Sequence, residues 1–232
     1  MTRDRMNGII IGILYIAAAV TSVIAVVFYQ PILSEQWYMS VANGFQTKIL
    51  LGVMNDFLLV VTAIGTAVML FPYLRRWNEH IALGYLCFRF MEAVFIAIGL
   101  VSILGLLHLS THYEADSLTR EENLLTIGLM LQAFYRWTSM LGPNLMLGLN
   151  TIMYSYLLFR TGLVPKSLAL FGMITAALVF IAGLLEMFGA VEPFSMTKGL
   201  IALPVGVYEM SLAVWLIVKG FHKQRLEKLK VN

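Results

Sequence analysis

Between Ile81 and Leu107 the chain stays apolar for ~40 Å of helix rise, yet it interrupts this run with Arg89 and Glu92 in the stretch Phe88-Arg89-Phe90-Met91-Glu92-Ala93. A segment of that length crosses the roughly 30 Å hydrocarbon core of a bilayer. A lone charge at its centre costs about 2.5–3.5 kcal/mol on insertion scales, so both residues must face away from lipid. This excludes an isolated span and calls for a bundle. The rest of the chain agrees: of 232 residues 59% are hydrophobic and 12% charged, with mean hydropathy +0.82, against about 25% charged residues in a soluble domain.

Windows of about 20 apolar residues predict six spans: Asn7–Gln30, Thr47–Tyr73, Ile81–Leu107, Gly142–Arg160, Ser167–Phe188 and Gly199–Val218. The fourth is preceded by Leu109–Leu141, read as an outer cap. Within it Thr119–Leu141 is expected to be an amphipathic helix opened by a Thr119-x-x-Glu122 capping box, bending into the fourth span at Gly142-Pro143. Charge sets the orientation. With the amino terminus inside, the inner segments hold eleven basic residues, among them Arg75, Arg76, Arg160 and Lys166, whereas the outer ones hold only Lys48, Arg120 and Lys198. Cytoplasmic loops carry such an excess. The expectation is an all-α polytopic membrane helix bundle, one domain over residues 1–232, with both termini cytoplasmic. Its amino-terminal run is read as a retained span rather than a cleaved signal.

Depth then sorts the polar residues. At 1.5 Å per residue from each inner boundary, Arg89, Glu92, Glu209 and Asn150 lie ~12–16 Å deep and Asp56 ~24 Å. Arg89 and Glu92 are three apart and share a helix face, which Tyr85 extends by one turn. If Arg89 bridges both Glu92 and Glu209, one negative charge is left, and such a site favours a proton or a cation. Asp56, beside Asn55, needs its own partner; Arg136 is a candidate, with a water-facing position as its alternative. Glu186 is expected to touch the outer interface. Two stripes of small residues, Gly8-x-x-x-Gly12 with Tyr15, and Asn144, Gly148, Thr151 and Ser155, read as packing faces. Pro204 is expected to kink the last span.

Several chemistries are set aside. The single cysteine, Cys87, allows no disulfide and no cysteine metal cluster. No lysine lies deep in a span to carry retinal. His80 and His222 fall on the inner side and His108 and His112 at the outer edge, so no histidine pair faces across the membrane for haem. His108-x-x-x-His112, with Glu114 and Asp116 nearby, is read as interfacial rather than metal-binding. No nucleotide-loop, hydrolase or metalloprotease motif occurs. The pI near 9 reflects topology rather than nucleic-acid binding.

The segments Phe88–Ala93, Tyr154–Gly172 and Leu203–Phe221 resemble an uncharacterised family of bacterial multi-pass membrane proteins, domain of unknown function 4386. The shared features are an Arg-x-x-Glu span, an inner loop with Gly-x-x-Pro, and a closing helix of Pro-x-x-x-x-Glu-x-x-x-x-x-Trp-Leu. The resemblance implies the bacterial cytoplasmic membrane and selects Arg89, Glu92, Pro204 and Glu209. It implies no activity.

The expected function is therefore a buried Arg/Glu site between spans that binds or transports a small molecule, ion or proton. Its ligand-binding candidates are Arg89, Glu92, Glu209, Asp56, Asn55, Asn150 and Tyr85, with no catalytic residue, metal or cofactor; its expected partners are the lipid bilayer and that ligand, and not nucleic acid. The alternative is a non-catalytic scaffold or partner-binding subunit whose charges fix helix register. A lipid-acting enzyme ranks third. The topology is testable with single cysteines in a Cys87→Ser background. Those placed at Glu79 or Lys223 should resist an impermeant thiol reagent in intact cells and one at Glu114 should react; labelling at Lys223 from outside would overturn the six-span count.

Overall fold

The computed structural model describes residues 2–37, 40–41, 43–111, 118–193 and 195–231. They form helices α1 (Arg3–Tyr29), α2 (Gln46–Leu74), α3 (Glu79–Thr111), α4 (Leu118–Met140), α5 (Leu147–Thr161), α6 (Lys166–Met187), α7 (Met196–Val218) and α8 (Lys223–Val231), with a π-helical turn at Leu141–Met146 joining α4 to α5. Among the described residues no strand occurs. Five helices, α1, α2, α3, α6 and α7, are long and apolar enough to cross a membrane. His112, Glu114 and Asp116 lie outside the described residues.

Sequence pattern explains which faces meet. Ile13, Val20, Val23 and Val27 of α1 and Leu51, Met54, Phe57 and Val61 of α2 are exposed, forming outward apolar surfaces of the kind lipid covers. Small residues let the inner faces close. Gly8 and Gly12 of α1 meet α7, where a Cβ at Gly12 would come 2.7 Å from the Ala213 carbonyl. Arg5 then donates to the carbonyls of Leu216, Ile217 and Val218. The start of α1 and the end of α7 therefore share one end of the bundle. His222 closes that end, its backbone N–H donating to Leu163 and its ring Nδ1 lying 2.9 Å from the Gly162 carbonyl. Gly162 adopts φ 64°, the left-handed conformation that ends a helix without a Cβ clash.

The stretch expected as an outer cap contributes α4. Gly99 of α3 faces Tyr135 and Thr138, and Gly105 faces Leu131, so the second half of α4 packs along the second half of α3. Helical backbone continues from Leu118 to Thr161, about 65 Å at 1.5 Å per residue. The helix is described from Leu118, one residue ahead of Thr119, so the expected Thr119 cap lies inside it. The bend expected at Gly142-Pro143 is resolved as the π-turn. Pro143 cannot donate a backbone N–H, and the Asn144 side-chain amide donates to the Ser139 carbonyl at 3.3 Å in its place.

Enlarging Gly12 to Val should force α1 and α7 apart and lower stability by about 1–3 kcal/mol. The check is thermal melting in detergent, with the lipid-facing Val20→Ile as the neutral control.

Candidate functional site

Arg89 is buried at 2% exposure in the middle of α3. Its Nη1 lies 3.0 Å from Glu92 Oε2 and 3.7 Å from Glu209 Oε1, and its Nε donates to the Ala63 carbonyl of α2 at 3.4 Å. The guanidinium also stands 6.0 Å from the centre of the Tyr15 ring, within reach of a cation–π attraction. Glu92 is held from a second side, because Asn150 Nδ2 donates to its Oε2 at 2.7 Å while bonding the Met146 carbonyl at 2.8 Å. One guanidinium thus draws on α1, α2, α3 and α7, and through Glu92 on α5.

Beside this cluster, four tyrosines from four helices pack as a layer. Tyr15 and Tyr154 rings lie 6.1 Å apart, Tyr85 and Tyr154 5.3 Å, and Tyr154 and Tyr208 6.1 Å. Tyr208 shares a hydrogen bond with Ser155 at 2.8 Å. The hydroxyls of Tyr15, Tyr85 and Tyr154 and Glu209 Oε1 are buried with no hydrogen-bond partner. Charge does not balance here: two carboxylates face one guanidinium.

Of the residues expected from sequence, Arg89, Glu92, Glu209 and Asn150 converge, and Tyr85 joins the layer beneath them. Asn55 and Asp56 do not. Asn55 Nδ2 donates to the Thr21 carbonyl at 2.8 Å, tying α2 to α1. Asp56 sits toward the outer end, with Tyr29 and Asn55 as its polar neighbours. Arg136, a candidate partner for Asp56, lines a separate pocket of about 270 Å³ with Gln132, Trp137 and Glu186. Glu186, expected at the outer interface, is buried and paired with Lys198 of α7, so one buried ion pair binds α6 to α7.

Tyr15, Tyr154 and Tyr208 were not among the sequence candidates. A signal existed. Tyr85 precedes Arg89 by four residues, Tyr154 follows Asn150 by four on a descending helix, and Tyr208 adjoins Glu209, so each lies near the depth of a polar residue. An aromatic within a packing stripe does not announce this, because its hydroxyl is as readily placed at an interface.

Removing the guanidinium leaves buried carboxylates without their cation, at a cost of about 3–5 kcal/mol. Arg89→Ala should therefore melt well below the wild type in detergent. Arg89→Ala/Glu92→Gln/Glu209→Gln should recover much of that loss, since no unpaired charge remains; equal losses in both would show that Arg89 does not serve these acids.

A family model described as Domain of unknown function (DUF4386) matches residues 10–220. No curated protein and no solved structure matches the chain significantly.

Proposed function

The chain belongs to the DUF4386 family, and we propose that it is a six-span protein of the bacterial cytoplasmic membrane, both termini inside, whose Arg89–Glu92–Glu209 cluster takes up a proton or a small inorganic cation in transport or sensing. One observation carries this reading: Glu209 Oε1 is buried with no hydrogen-bond partner, 3.7 Å from an arginine already engaged by Glu92. A second carboxylate beside a satisfied ion pair leaves one net negative charge in low dielectric, and several kcal/mol are lost unless something neutralises it. A proton or a bare cation is small enough to do so within the closely packed interior. The hydroxyls of Tyr15, Tyr85 and Tyr154 supply oxygens for it.

The scaffold reading is favoured by a different observation. The residues lining the larger cavity stop at Phe95, Ile96 and Pro143 and do not include Arg89, Glu92 or Glu209. A cluster apart from that cavity suits a fixed helix register as well as it suits an occluded ion.

The two readings separate by linkage, since a native state that binds one more ion than the unfolded chain gains stability with that ion's concentration, about 2.7 kcal/mol at a hundredfold excess over Kd. Melting in nanodiscs would be followed against pH, and against sodium or potassium with choline holding ionic strength constant. The wild type should respond to one of these ions and Glu209→Gln should not. A wild type indifferent to all three would leave the charges structural.

A further inference from the structure

A cavity of about 360 Å³ opens in the outer half of the bundle, between the first turns of α7 on one side and α1, α2, α3 and α4 on the others. Its walls are mostly apolar, with Ala25, Leu59, Phe95, Ile96 and Ala202 among them. At Gly199, which also lines it, an added Cβ would meet nothing within 4 Å. This volume lies within the 300–1,000 Å³ typical of small-molecule sites.

Into this apolar space faces one acid. Asp56 is 5% exposed and lines the cavity; Tyr29 and Asn55 stand beside its carboxylate, and Oδ1 has no well-formed hydrogen bond. Among the described residues no salt bridge joins it to a lysine or arginine. The other titratable groups around it do not supply a counter-charge. Tyr29 of α1 and Tyr135 of α4 are neutral phenols, and Lys198 of α7, also on the cavity wall, is held by Glu186 of α6. A ligand that fits must bring a positive charge with an N–H donor for the carboxylate and a hydrocarbon body for the walls. An anionic ligand would find its one cation already engaged and a carboxylate opposing it.

We infer that this cavity binds an amphipathic organic cation, a protonated amine carrying an aryl or alkyl body, with Asp56 as its anion. The site is distinct from the Arg89 cluster and does not rest on the reading given to it, because Arg89, Glu92 and Glu209 are not among its lining residues.

The test uses the full chain in nanodiscs and titration calorimetry, with empty nanodiscs as the blank. The probes are phenethylammonium, its neutral isostere phenethyl alcohol, and the anion hydrocinnamate. Phenethylammonium should bind at least about tenfold more tightly than either, the margin expected for a charge-assisted hydrogen bond. Asp56→Asn should weaken it by a similar factor, and Glu209→Gln should leave it unchanged. Ala202→Phe, which fills the cavity from its wall, should abolish binding while the protein still melts cooperatively. Four results would overturn the inference: no binding of the ammonium, equal or tighter binding of the alcohol or the anion, full affinity in Asp56→Asn, or loss of binding in Glu209→Gln with Asp56→Asn unaffected.

Discussion

Everything near the centre of this bundle follows from the need to keep one guanidinium out of lipid. An arginine carries five donors and cannot shed its charge, so burying Arg89 obliges the fold to bring acceptors to it from other helices. Glu92 comes from its own helix, three residues on, and is the only partner that helix geometry supplies without tertiary structure. The Ala63 carbonyl, the Glu209 carboxylate and the face of Tyr15 come from α2, α7 and α1. Each of these contacts fixes the rotation and axial position of a helix that apolar packing alone would leave free to slide, since lipid tails are as apolar as leucine.

Close approach is the condition for those contacts, and small residues provide it. Gly12 brings α1 against α7 at Ala213, one turn from Glu209, and Gly172 of α6 leaves room for the Tyr208 ring and Ser155. A glycine inside an exposed helix would cost about 1 kcal/mol against alanine. Here a Cβ would meet a backbone oxygen or a tyrosine ring, so packing outweighs propensity. The tyrosine layer then covers the inner side of the charged cluster with rings whose hydroxyls remain inside.

Much of this was legible before any coordinates. Apolar length marks the helices because a bilayer has one thickness, and rise per residue places Arg89, Glu92, Glu209 and Asn150 at one depth because spans start from a common boundary. What depth cannot supply is rotation. Asp56 and Arg136 satisfy a level argument yet point into different spaces, and Glu186 looked interfacial until Lys198 was seen beside it. The course of α4 is under-determined for a related reason. Its sequence reads as amphipathic, and Gly99 and Gly105 of α3 offer it a groove to pack along, an offer visible only when the two helices are side by side.

The proline between α4 and α5 shows how a break in a long helix is made tolerable by its neighbours in sequence. Pro143 leaves the backbone one donor short, and in hydrocarbon a carbonyl without a partner costs several kcal/mol. The residue that follows, Asn144, turns its amide back to the Ser139 carbonyl, so Gly142-Pro143-Asn144 carries the defect and its repair together. The π-turn that results widens the helix where α3 comes nearest: a Cβ at Gly142 would stand 2.8 Å from Phe95 Cβ. Phe95, Pro143, Ser139 and Asn144 all border the outer cavity. The break therefore falls beside this cavity, and its residues form part of the cavity wall.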